Sequence, residues 1–247
     1  MKKLSYSALQ TFNTCPLQYK FAYRDRLPTE QTTMMYFGTI VHQLMEELYA
    51  PTLLPVSKEE LLHMLITKWK SVAYKDTALA KKDIADATTI LERECEKRYK
   101  ESDIRTIALE QSFSFPITAE FTMRGRIDRV DKLASNSLEI IDYKTGYNPP
   151  SETELKQNLQ LATYFLAAKN LWPEITTIRL TLHYLRPDKV VSFTPERSFA
   201  AETQSRLSML VNELKTSDFA PRPGKHCDQC SFRTLCPLMK SHYMQTL

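Results

Sequence analysis

Apolar residues recur at helical spacing through the first hundred positions. Over 36–49, Phe37, Val41, Leu44 and Leu48 fall on one stripe, which predicts a helix with one buried face. Residues 7–23, rich in aromatics (Phe12, Tyr19, Phe21, Tyr23), 58–73 and 77–100 predict three more helices, the last heavily charged. The period then shortens. Residues 105–115, 117–124, 126–133 and 137–143 predict four consecutive short strands, with turns near Pro116 and at Ala134-Ser135-Asn136. Ser151, with Glu152 and Glu154 in the first turn, opens a helix over 152–170. Residues 176–186 and 189–194 predict a hairpin turning at Pro187-Asp188, and 197–215 a last helix before a tail rich in Pro and Cys. The expected fold class is α/β, with a mixed central sheet flanked by helices.

The strand pattern places chemistry at one point. Side chains two apart in a strand share a face, so Leu138, Ile140, Asp142 and Lys144 point the same way. The two apolar residues pack under the sheet while Asp142 and Lys144 emerge at its end. Asp128, on the preceding strand, can pair as an antiparallel neighbour. Two carboxylates and an ammonium converging in this way suit phosphodiester hydrolysis. Mg²⁺ is usually held by one or two carboxylates, with water and substrate phosphate completing its shell. Lysine can orient the attacking water or meet the charge that develops on the phosphate. A surface hairpin with an ion pair would carry the same Asp-x-Lys. On the 36–49 helix, His42 lies off the apolar stripe with Glu46 one turn on. Gln160 and Tyr164 form a similar i, i+4 pair, readable as a phosphate or lysine holder or as a solvated polar face.

Composition narrows the class. Of 247 residues, 43% are apolar and 25% charged, which excludes a disordered or fibrous chain. No run approaches the roughly 18 apolar residues of a membrane span, and the start has no apolar signal region, so a cytoplasmic, nucleoid-associated protein is expected. The net charge of +4 permits a nucleic-acid partner without demanding one. Arg124, Arg126 and Arg129, and the stretch Tyr19–Arg24, mix basic and aromatic side chains that can stack unpaired bases, although core aromatics with a solvated basic rim account for most of them. Five cysteines are present. Three crowd the tail as Cys227-x2-Cys230-x5-Cys236, and Cys15 is a distant fourth. This is a four-thiolate metal pattern rather than a disulfide framework, and spacing does not separate zinc from an iron–sulfur cluster. Cys95, among charged residues on a helix, has no partner pattern. Only four glycines occur (Gly38, Gly125, Gly146 and Gly224), each beside one of these motifs, which predicts positive φ or close backbone approach there.

Taken in order, Tyr6-Ser7-Ala8-Leu9 with Cys15-Pro16, Gly38-x3-His42, Glu110 with Phe113, Gly125-Arg126-Ile127-Asp128, Asp142-Tyr143-Lys144-Thr145-Gly146 and Gln160-x3-Tyr164 resemble the PD-(D/E)XK nuclease superfamily, in its RecB-like branch. The resemblance implies a restriction-endonuclease-like core in one nuclease domain over 1–247. Its parts would be a helical section 1–101, a nuclease core 102–220 and a cysteine-rich tail 221–247 closed by Cys15. It implies that His42, Asp128, Asp142 and the Tyr143 carbonyl bind Mg²⁺ or Mn²⁺. Asp128, Asp142, Lys144, Gln160 and Tyr164 would be catalytic, with Glu110 an accessory acid. A histidine ligand favours Mn²⁺ over Mg²⁺. The family also favours a [4Fe–4S] cluster on Cys15, Cys227, Cys230 and Cys236, with zinc as the alternative. The implied activity is metal-dependent cleavage of DNA, single-stranded or at ends, as an exonuclease in repair or recombination. The alternatives are a CRISPR-associated RecB-like nuclease that trims DNA for spacer acquisition, and a non-catalytic iron–sulfur scaffold on DNA. The sequence has no nucleotide-binding loop of its own, so any unwinding falls to a partner, a helicase or, in the CRISPR reading, an integrase complex.

Overall fold

A computed structural model describes residues 1–52, 54–70, 73–100 and 105–239. The chain divides into two compact units. One comprises Met1–Glu30, Ser114–Gly125 and Ser198–Leu247; the other comprises Gln31–Phe113 and Arg126–Arg197.

The second unit carries three helices, α3 (Thr33–Tyr49), α4 (Lys58–Lys68) and α5 (Thr77–Lys100), before its strands. Thr32 caps α3 through the Met35 amide, and Ser57 with Glu60 forms a reciprocal capping box on α4. Their apolar faces meet in one cluster. Phe37, Val41, Leu44, Leu61, Leu65, Ile90 and Leu91 are all buried in it, with Cys95 as a buried, unligated bystander. The expected helix over 58–73 stops at Lys68, and residues 71–72 lie outside the described residues.

The strands are β2 (Arg105–Pro116), β3 (Phe121–Ala134), β4 (Ser137–Lys144), β5 (Thr177–Tyr184) and β6 (Lys189–Phe193). In the second unit β3 and β4 are antiparallel, β4 and β5 parallel, and β5 and β6 antiparallel, while β2 also pairs with β3. The sheet is mixed, as expected. Two expected strands, 117–124 and 126–133, are one. Residues 117–120 form the turn after β2, closed by the Ile117 amide on the Phe121 carbonyl, and β3 then runs through Gly125 without a break. The expected helix over 152–170 is two, α6 (Glu152–Lys156) and α7 (Leu159–Leu171). Asn158 separates them, because its side chain accepts the Leu161 amide and starts a new helix. Helix α7 is buried on nearly every side from Leu159 to Ala168.

In the first unit β1 (Lys2–Ser5) pairs in parallel with residues 121–124 of β3. The expected helix over 7–23 is broken. Helix α1 (Tyr6–Thr14) ends at Cys15, whose extended backbone (φ −153°) follows from the steric demand of Pro16. A short α2 (Pro16–Tyr19) and a π-helical turn (Lys20–Arg24) follow. Tyr19 stacks on Tyr23 and on Phe219, while Tyr23 and Arg24 remain exposed. Helix α8 (Phe199–Thr216) and two 3-10 turns, Lys225–Gln229 and Arg233–Leu235, complete the unit.

The glycine expectation is corrected. Among the described residues no glycine has positive φ; Arg26, Glu110, Asp188 and Phe219 do. Close approach holds at Gly224, where a Cβ would press into the His226 ring at 2.9 Å; at Gly38 the nearest atom, Thr145 Oγ1, lies at an ordinary contact distance of 3.4 Å, and at Gly146 nothing lies within 4 Å.

Candidate active site

The site lies within the second unit, and five elements of that unit supply it. His42 comes from α3, Glu110 from β2, Asp128 from β3, the run Asp142-Tyr143-Lys144 from the end of β4, and Gln160 and Tyr164 from α7. Leu138 and Ile140 are buried beneath Asp142, as alternation along β4 requires.

Asp142 is 2% exposed, and its Oδ1 accepts from Gln160 Nε2 at 2.7 Å and from the Tyr164 hydroxyl at 3.2 Å. Gln160 Nε2 also donates to Tyr164 at 2.9 Å, and its Oε1 takes a hydrogen bond from Lys144 Nζ at 2.7 Å. Lys144 Nζ lies 2.6 Å from Asp142 Oδ2, yet that oxygen has no hydrogen-bond partner, so the contact is ionic and off the hydrogen-bonding direction. Gln160 thus spans acid and lysine, a link that sequence spacing alone only suggests.

Asp128 Oδ2 accepts the Tyr143 amide at 2.9 Å and lies 3.3 Å from His42 Nδ1. Burial first, and then the charge of Asp142, push the Asp128 carboxyl up to about 8. Burial holds His42 below its usual value, partly offset by Asp142. His42 therefore offers a neutral imidazole at neutral pH, the form that ligates metals. Ligand atoms of His42, Glu110 and Asp128 lie within 4.8 Å of one another. Glu110 has φ of 45° inside a strand, a conformation that costs a non-glycine residue on the order of 1–3 kcal/mol. Its carboxylate pairs with Arg126 at 3.0 Å, and both line an open groove with His42, Thr39, Glu46 and Met35.

Arg129, expected on a solvated basic rim or stacked on bases, is instead 5% exposed and turned inward to Asp131 and Tyr143. Arg126 is open to solvent, as expected. A second cluster, Glu94, His183 and Asp188, has no signal in the sequence, because its members lie far apart along the chain. Their ligand atoms also fall within 4.8 Å, but Lys97 contacts both acids and Arg93 lies 3.2 Å from Asp188, so the chain's own cations meet that charge.

In the first unit the four cysteines line one cavity with Leu17, Phe21 and Phe232. Burial first, and then Cys15, Cys227 and Cys236 nearby, raise the Cys230 thiol. Cys15 Sγ accepts the Arg222 amide at 3.5 Å, and Cys230 and Cys236 each follow a 3-10 turn that aims them.

These arrangements have counterparts. Over 180 residues the chain is 26% identical to one of the subunits of the ATP-dependent helicase/deoxyribonuclease of Streptococcus pyogenes, in serotypes M49 (strain NZ131) and M4 (strain MGAS10750). That stretch is 69% of this chain but only 17% of the length of those curated relatives. A crystal structure of a provisionally named exonuclease from Eubacterium rectale shares the fold, with a TM-score of 0.57, 13% identity, and coverage of 92% of this chain and 86% of that one. A model of the PD-(D/E)XK nuclease superfamily, whose members use divalent metals, matches residues 3–237, the span that holds both the acid–lysine site and all four clustered cysteines. The chain belongs to the PD-(D/E)XK nuclease superfamily.

Proposed function

We propose that this chain hydrolyses DNA phosphodiester bonds, acting on single strands or ends with a divalent metal. The observation that carries this reading is the convergence of Asp128, Asp142, His42 and Lys144 on one buried-to-open edge of the sheet. Two features of the site fit a metal ion. Asp142 Oδ2 is buried without a hydrogen bond, met only by the Lys144 ammonium at 2.6 Å, and Asp128 is pushed toward its neutral form by burial first and then by the charge of Asp142, a pair of carboxylates that a cation would bridge. Asp128, Asp142, His42 and the Tyr143 carbonyl would hold the ion, with Glu110 within reach. The bound ion would acidify water and neutralise charge on the phosphate. The chain's own groups do the rest. Lys144, tethered by Gln160, orients the water that attacks phosphorus as the P–O ester bond breaks, leaving a phosphate monoester and a hydroxyl. Tyr164 and Gln160 fix the Asp142 carboxylate. The neutral imidazole supports Mn²⁺ activity at least equal to that with Mg²⁺.

The test is digestion of end-labelled linear and of circular single-stranded DNA with Mn²⁺, comparing wild type with Asp142→Ala and Lys144→Ala. Variants that cut as well as wild type overturn the site. Cutting of circles overturns the end-directed mode alone. The relatives are named as subunits of an ATP-dependent helicase/deoxyribonuclease, which supports a helicase partner.

Cys15, Cys227, Cys230 and Cys236 are assigned a [4Fe–4S] cluster. Zinc, with Zn–S near 2.3 Å in a tetrahedron, would draw its thiolates to about 3.8 Å from one another. The four cysteines line one cavity, which supports a single four-thiolate group there. Anaerobically purified protein is expected to be brown, with about four irons per chain. Stoichiometric zinc without iron would overturn this assignment.

A further inference from the structure

The fate of Arg129 points to a function for a buried ion pair. We infer that Tyr143, clamped by Arg129 and Asp131, is the positioning residue that holds His42, Asp128 and the 143 carbonyl in place for the divalent ion. This rests on the metal reading above.

Tyr143 touches both partners. Its amide donates to Asp128 Oδ2 at 2.9 Å. Its ring meets the His42 imidazole edge-on, with centroids 6.0 Å apart and planes at 85°. Alternation along β4 sends the Tyr143 side chain to the face opposite Asp142 and Lys144, away from substrate. There it is 3% exposed, and Arg129 Nη1 donates to its hydroxyl at 3.0 Å. The guanidinium is itself immobilised. Nε donates to both Asp131 oxygens, at 2.9 and 3.0 Å, and Nη2 donates to Oδ2 as well. The Tyr49 ring lies beneath at 3.5 Å, and Thr106 Oγ1 fixes Asp131 from the other side at 2.9 Å.

A buried ion pair contributes about as much stability as a well-packed apolar pair of the same volume, and often less. Stability therefore does not account for Arg129 and Asp131. What an apolar pair lacks is direction. The fork fixes the far end of the Tyr143 ring, which meets His42, and a fixed ring fixes the peptide whose amide holds Asp128. Partners one step behind metal ligands typically set affinity by about ten- to a hundredfold.

Two variants and two readouts test this. Tyr143→Phe removes only the hydroxyl. Arg129→Met/Asp131→Leu replaces the pair with apolar side chains. Mn²⁺ binding is followed by loss of the free-ion electron paramagnetic resonance signal, and melting is followed on metal-free protein. Both variants should bind Mn²⁺ about tenfold more weakly or worse, while the double variant melts no lower than wild type. A folded variant with wild-type affinity overturns the inference. So does affinity that falls only in step with a lowered melting temperature in both. If Tyr143→Phe does not fold, the double variant decides. Wild type that takes up no Mn²⁺, or Asp128→Asn that binds like wild type, instead overturns the metal reading itself, and the inference falls with it.

Discussion

Metal uptake by this protein should expel one proton, and that proton should come from Asp128. The perturbation is addition of Mn²⁺ to metal-free protein at a series of pH values. A carboxyl pushed up to about 8 is about nine-tenths protonated at pH 7, and a ligating carboxylate must be ionised. His42 adds no proton to the count, because burial already holds it neutral. About 0.9 protons should therefore leave per ion at pH 7, falling to about 0.1 at pH 9. Below pH 8 the apparent affinity should rise about tenfold per unit of pH. Calorimetric titration in Tris and in HEPES, which differ in ionisation enthalpy, gives the proton count. Stability follows the same linkage. A carboxyl raised in the folded state favours folding fully below its unfolded value, and that contribution is lost as pH rises through the folded value. Metal-free protein should accordingly lose stability between about pH 4 and 8, and the rise in melting temperature on adding Mn²⁺ should grow over the same window. Release of fewer than about 0.2 protons at pH 7, or the same release from Asp128→Asn, would refute the reasoning.

Other consequences follow from named contacts. Gln160→Leu removes both the acceptor of Lys144 and a donor to Asp142; single-turnover cleavage should slow by about ten- to a hundredfold with DNA affinity unchanged. Glu110→Gly should melt above Glu110→Ala, by the equivalent of about 1 kcal/mol, because only glycine adopts φ of 45° without strain. Equal melting points would contradict the left-handed backbone there. Asn158→Ala should cost about 1 kcal/mol in denaturant unfolding through loss of the cap on α7. Cys15→Ser should lose the iron as fully as Cys227→Ser, read by iron analysis, although the two lie at opposite ends of the chain.

Much of the architecture is legible in periodicity. Helices α3 and α5, strands β4 and β6 and the turn at Asp188 fall within a few residues of where alternation and spacing put them. The acid–lysine set is likewise readable, since Asp142 and Lys144 need only a two-residue repeat to share a face. The misses have local causes. Pro16 forbids a helical Cys15, and Asn158 is a better cap than a helix interior, yet an apolar stripe runs on past both. Gly125 reads as a boundary in the pattern, but glycine fits an extended strand when neighbours on each side pair. Residue type alone sends Arg129 to solvent, although Ile127, Arg129 and Asp131 alternate on one face and Ile127 is fully buried. The left-handed Glu110 has no signature at all, since its conformation is imposed by what packs around it.

The division of the chain also sets a timetable. Every residue from His42 to Tyr164 that serves the cleavage site belongs to a unit complete in sequence at Arg197, whereas Cys15 waits for Cys227, Cys230 and Cys236. During synthesis at about 5–20 residues per second, Cys15 spends roughly ten to forty seconds without its partners. The cluster proposed for those thiols would therefore be inserted only after Cys236 has been made, when every residue of the cleavage site is already in the chain.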